Sequence, residues 1–173
     1  MSEFRQRVTD HDVVAITETW GNGSVGDAEI AVDGFSIFRL DRSGTRGGGL
    51  ALYIRDDLEA TLNETLMNAE FKESIWCNVS LQCGNLLVGL CCRSPSSNDV
   101  NNDNLLKLLD TAYRSVDGST YLLIMGDFNY PDVNYITETV KAEDAAPSTK
   151  FFHKTQDLCL IQNVVNHTRV RQN

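Results

Sequence analysis

The stretch that most constrains this chain is Tyr121-Leu122-Leu123-Ile124-Met125-Gly126-Asp127-Phe128-Asn129-Tyr130-Pro131. Four consecutive apolar residues after Tyr121 cannot alternate between core and water. They predict a buried strand covered on both faces, as in the interior of a layered α/β domain. Gly126 ends the predicted strand, and Pro131 stops further pairing. Asp127 and Asn129 stand two residues apart, so in an extended conformation their side chains leave one face, with Phe128 directed oppositely. A carboxylate and an amide held together at a strand end suit phosphate chemistry. The carboxylate can bind a cation or polarise a water, and the amide can donate to a developing oxyanion. Taken alone, the same string is equally a polar turn after a core strand.

A second strand end adds weight. Val13-Val14-Ala15-Ile16-Thr17 is a β-branched apolar run and predicts another buried strand, which ends in Glu18-Thr19-Trp20. Phe35 to Leu40 and Leu50 to Ile54 predict two more strands. Between them lies Arg42-Ser43-Gly44-Thr45-Arg46-Gly47-Gly48-Gly49. Such a loop can bring backbone amides to phosphate, but it lacks the Lys-Ser/Thr ending of a P-loop and opens no helix, so a flexible hairpin loop is the favoured reading.

Ser74 to Leu81 places Ile75, Cys77, Val79 and Leu81 inward against Ser74, Trp76, Asn78 and Ser80, with Gly84-Asn85 as a tight turn into Leu86 to Cys92. This hairpin delivers Cys92-Arg93-Ser94-Pro95-Ser96-Ser97 into a polar loop reaching Asn104. A helix follows, capped by Asp103 or Asn104, striped by Leu105, Leu108, Leu109, Ala112 and Val116, and ended by Gly118. It precedes the Tyr121 strand as a crossover would. Ser148 is the expected cap of a helix bearing Phe151, Phe152, Leu158 and Cys159, Val164-Val165 begins a last short strand, and Ser2 to Thr9 is a short helix packing Phe4 and Val8.

Composition bounds the rest. With 173 residues, 42% of them hydrophobic, the chain can bury one sizeable core, so a single domain over 1–173 is expected. No apolar run suits a membrane helix and no signal region opens the chain, which predicts an intracellular, non-secreted protein with no membrane partner. The five cysteines, Cys77, Cys83, Cys91, Cys92 and Cys159, show no ligand spacing and read as reduced core residues. His11, His153 and His167 are scattered and read as structural or surface residues. A net charge of −9 predicts weak backbone binding to nucleic acid. It leaves room for a nuclease whose carboxylates hold a metal.

The strings Ile16-Thr17-Glu18-Thr19-Trp20, Gly34 to Arg42, Gly47 to Asp56, Arg93-Ser94-Pro95-Ser96-Ser97 and Gly126-Asp127-Phe128-Asn129 occur in an order that resembles the endonuclease/exonuclease/phosphatase family. In detail they resemble the apurinic-type endonuclease domain of non-LTR, LINE-like retrotransposons. The resemblance implies an α/β fold, DNase I-like, in which a two-sheet β-sandwich is flanked by helices. It implies hydrolysis of a DNA phosphodiester with Mg²⁺ or Mn²⁺ and no small-molecule cofactor, and nuclear residence as part of a retrotransposon protein. By matching position Glu18 would be a metal ligand, Asp127 would orient or deprotonate the attacking water, and Asn129 would hydrogen-bond the reacting phosphate. Thr168 falls where relatives carry a site threonine.

Relatives begin earlier, with a strand bearing an Asn, and end later, with a Ser-Asp-His element, so a domain truncated at both ends is expected. Cys92 stands where relatives carry a Tyr whose hydroxyl reaches the phosphate, and a thiol is a weaker and shorter donor. The resulting expectation is a retrotransposon-type endonuclease domain with little activity as it stands. Two alternatives remain beside it: a remnant that binds without catalysing, and a phosphatase on the same fold.

Overall fold

The computed structural model describes residues 2–42 and 47–164. Val13–Thr17 (β1), Phe35–Leu40 (β2) and Leu50–Arg55 (β3) form an antiparallel sheet in the order β1-β3-β2. Ala60–Leu62 (β4), Ser74–Leu81 (β5), Gly84–Cys92 (β6) and Thr120–Asp127 (β7) form a second sheet in sequence order, antiparallel except for the parallel β6–β7 pair. The helices are Ser2–Val8 (α1), Asp27–Ile30 (α2), Glu64–Met67 (α3), Asp99–Ser115 (α4) and Pro147–Asp157 (α5), and Val133–Asn134 (β8) pairs with Thr139–Val140 (β9).

The strand alternation explains the layering. Leu50, Leu52 and Ile54 of β3 face Ile75, Cys77 and Val79 of β5 and Val88, Leu90 and Cys92 of β6, so the two sheets close on each other. The opposite residues of β3, Ala51 and Tyr53, pack with Val8 of α1 and Val32. Trp76, Leu87 and Cys91 turn the other way, onto Leu105, Leu108, Leu109 and Ala112 of α4 and Phe151 of α5. The result is a two-sheet sandwich with helices outside, the architecture expected. Full burial of one such Leu or Ile stabilises by about 1.5–3 kcal/mol.

Several local expectations are corrected. On β5 the alternation is not core against solvent: Ser74 and Trp76 are as buried as Ile75 and Cys77, because α3 and α4 cover the second face. The hairpin turn is Gln82-Cys83, with Gly84-Asn85 already in β6. β7 is an edge strand among the described residues. Its faces are covered, Leu122 and Ile124 by the helices and Met125 by the inter-sheet core, yet these residues are only half-buried and Tyr121 is 62% exposed.

Helix α4 starts four residues before Asp103, capped by the Asn98 side chain, which accepts from the Asn101 amide. Ser148 lies inside α5, whose cap is Ala146. Cys83 and Cys159 are exposed while Cys77, Cys91 and Cys92 are buried, so the core reading holds for three of the five. His11 and His153 are exposed; His167 lies outside the described residues. Val164 is irregular and exposed rather than the start of a strand, and Val165 lies outside the described residues. No helix among the described residues is long and apolar enough to cross a membrane.

Candidate active site

The two sheets meet at one rim, where β1, β6 and β7 all end. Parallel pairing of β6 with β7 sets Cys92 beside Asp127, and across the sandwich Cys92 Sγ is 3.9 Å from Glu18 Oε1. Glu18, Cys92 and Asp127, singled out from the sequence, are therefore brought together, and Asn129 lies one short turn beyond. Thr168 lies outside the described residues.

Glu18 sits in left-handed backbone, φ 56, as does Trp20 at φ 53. The glycine-rich loop explains how that conformation is held. Gly48, at φ +82, donates its amide to Glu18 Oε2 at 2.8 Å, and its carbonyl accepts from the Trp20 amide at 2.9 Å. Trp20 Nε1 donates to the same Oε2 at 3.0 Å. Among the described residues of this loop, Gly48 therefore does more than close a hairpin. Gly48 and Trp20 cradle the carboxylate, occupying Oε2 and leaving Oε1 turned toward Cys92. The glycine run was visible in the sequence, but its target, thirty residues upstream, was not.

At the end of β7 the strand runs through Gly126 to Asp127. Gly126 has φ +144, and a Cβ there would lie 1.7 Å from the Cys91 carbonyl oxygen, so only glycine permits this approach of β7 to β6. The extended conformation then ends. Asn129 takes φ 51, its amide donates to Asp127 Oδ1 at 3.2 Å, and its side-chain Nδ2 donates to the Arg93 carbonyl at 2.8 Å. The shared-face expectation for Asp127 and Asn129 required extended backbone and is replaced by this turn, while Phe128 packs on Phe151. Arg93 and Asn102, which sequence reasoning left without a role, lie directly behind the turn.

The Cys92 thiol is pushed up to about 11, first by burial and then by the negative charge of Glu18, Glu73 and Asp127. It is therefore a protonated, weak donor at neutral pH. Arg42, paired with Glu73 at 3.1 Å, and Ser94, Asn101 and Gly48 line a cavity of about 570 Å³ that opens beside Cys92. Among the described residues no three His, Cys, Asp or Glu side chains converge as a metal cage. A hard cation such as Mg²⁺ needs less, one or two carboxylates with waters and substrate phosphate oxygens; Glu18 Oε1 offers one such carboxylate oxygen, beside the Cys92 thiol.

The sequence profile described as Endonuclease/Exonuclease/phosphatase family matches residues 1–154. No curated protein matches in sequence. Among solved structures, the endonuclease domain of TRAS1, a telomere-specific non-LTR retrotransposon, is 15% identical with a TM-score of 0.65, over 92% of this chain and 67% of its own. The AP endonuclease LMAP from Leishmania major is 15% identical with a TM-score of 0.61, over 90% of this chain and 60% of its own. D. rerio TDP2 complexed with single strand DNA product is 10% identical with a TM-score of 0.50, over 94% of this chain and 57% of its own. The likeness in these structures is one of fold, a DNase I-like sandwich.

Proposed function

Because the chain belongs to the endonuclease/exonuclease/phosphatase family, we propose that it is a phosphodiesterase that nicks DNA with the help of Mg²⁺ or Mn²⁺ and is of retrotransposon origin. The observation that carries this reading is the meeting of three strand ends at one rim, which sets Glu18 3.9 Å from the Cys92 thiol and pairs Cys92 with Asp127. The likeness to the TRAS1 domain supports the retrotransposon part.

Glu18 would hold the cation through Oε1, since Oε2 is committed to Gly48 and Trp20. Such a cation, when bound, neutralises charge that builds on the phosphate oxygens. Asp127 accepts the proton of the attacking water. Asn129 carries two Nδ2 hydrogens and gives one to the Arg93 carbonyl, which leaves the second for a phosphate oxygen. Cys92 supplies only a weak donor where relatives have a tyrosine hydroxyl, and loss of one preorganised donor costs about 10² to 10³ in rate.

The test is plasmid nicking in Mg²⁺ or Mn²⁺. Asp127→Ala should abolish cleavage, and Cys92→Tyr, whose ring has the adjoining cavity to enter, should raise it by at least about tenfold. Cleavage that survives Asp127→Ala would remove the assignment. Hydrolysis of a phosphate monoester with no nicking of DNA would move the protein to the phosphatase reading.

A further inference from the structure

Arg93 is a charged residue with only 6% of its surface exposed, yet no carboxylate pairs with it among the described residues. Its guanidinium is spent elsewhere. Nε donates to Asn102 Oδ1 at 2.6 Å, and Nη1 donates to the carbonyls of Asn129 at 3.0 Å and Phe128 at 3.4 Å. The group stacks on the Tyr130 ring at 4.2 Å, while Tyr130 Oη donates to the same Asn102 oxygen at 3.1 Å. The backbone repeats the pattern: Arg93 N donates to the Asp127 carbonyl at 2.8 Å, and the Arg93 carbonyl accepts from Asn129 Nδ2. Asn102 is itself buried and fixed by the carbonyls of Asn98 and Ser97 at the start of α4.

Burying an unpaired cation opposes folding, and an apolar side chain of similar size would fill the space at less expense. Every guanidinium contact but two, those with Asn102 and Tyr130, goes to the carbonyls of the turn that follows Asp127. A planar fork can reach Asn102 on one side and two carbonyls on the other, which a lysine ammonium cannot do. We infer that Arg93, seated on Asn102 and Tyr130, is a positioning residue that fixes the left-handed turn at Asn129 and so sets where Asp127 and Asn129 meet a phosphate. Arg93 itself does not reach the substrate and acts through those two residues. The inference rests on the phosphodiesterase reading of the same rim.

The experiment compares Arg93→Met, Arg93→Lys and a core control, Val79→Ala, at the far end of the β5–β6 hairpin. It measures kcat and KM for DNA cleavage, melting temperature, and amide exchange at Phe128 and Asn129. Displacing a positioned group by about 1 Å costs about 10²-fold. Arg93→Met should therefore lose about that factor in kcat with KM changed less than about threefold. Arg93→Lys leaves part of this bonding unmade, so it should melt below the parent protein, by no more than Val79→Ala does, and still lose at least about tenfold in kcat. Val79→Ala should melt lower and keep kcat. If Arg93→Met does not fold, Arg93→Lys decides. An unchanged kcat in the folded arginine variants overturns the inference. If the parent protein does not cleave DNA, the functional reading fails and exchange decides this one: faster exchange at Asn129 in Arg93→Lys than in Val79→Ala upholds the positioning role, and equal exchange overturns it.

Discussion

Glu18, Trp20 and Asn129 hold φ values of 56, 53 and 51, a conformation that opposes a side chain by about 1–3 kcal/mol per residue. All three lie at the rim, where contacts from distant segments hold them: Gly48 for the first two and Arg93 for the third. Gly48→Ala places a side chain at φ +82 and should lower stability by about 1 kcal/mol. It should also free the Glu18 carboxylate, so calorimetry should show weaker Mn²⁺ binding than in Val79→Ala. Glu18→Gln should weaken that binding by at least about tenfold, since a neutral amide would replace the carboxylate proposed as the ligand. Unchanged affinity in both variants would remove Glu18 as the proposed ligand. That Glu18 and Asp127 share one rim was legible because each is a carboxylate that ends an apolar run. Their supports were not, because a glycine amide or a buried arginine gains its role from a partner about thirty residues away.

Elements were legible where burial follows a simple period and misplaced where a polar group is buried for a specific partner. Helix α4 shows both. Its apolar stripe from Leu105 is plain, while its first turn is polar and contains buried Asn102, so the sequence pattern places the start too late. Asn98→Ala, which removes the observed cap, should destabilise the protein by about 1 kcal/mol. Asp103→Ala, at the position expected from the stripe, should change it by less than about 0.5 kcal/mol in denaturant titration; the reverse ranking would contradict the observed start. Likewise period two in an antiparallel strand usually means one wet face, and although the apolar stripe of α4 is plain, nothing in the sequence says that it and α3 cover the Trp76 side of β5. At the end of β7, Gly126→Ala would drive a methyl into the Cys91 carbonyl. Loss of protection along the β6–β7 ladder, measured by hydrogen exchange, is the expected result.

At the scale of the molecule, the sandwich keeps three thiols out of water. Burial raises Cys77 from 9.0 to about 12 and moves Cys91 and Cys92 in the same direction. The folded chain therefore keeps a proton that the unfolded chain gives up above about pH 9. The stabilisation is complete below that pH and is lost as pH rises toward about 12. Melting temperature should fall from about pH 9 upward, and Cys77→Val should flatten the decline; identical slopes would show that other groups govern it. The whole-molecule reading, two sheets flanked by helices with their strand ends at one rim, came from the order of short strings, each of them ambiguous alone. The same packing separates the two indoles. Trp76 is 0% exposed, while Trp20 is 57% exposed and bonded to Glu18 at 3.0 Å. In optical terms the protein carries an internal reference lamp and a sensor. Iodide should quench only the red-shifted emission of Trp20, and Mn²⁺ occupying Glu18 should dim that component in the parent protein but not in Glu18→Gln, giving a label-free record of what happens at the rim.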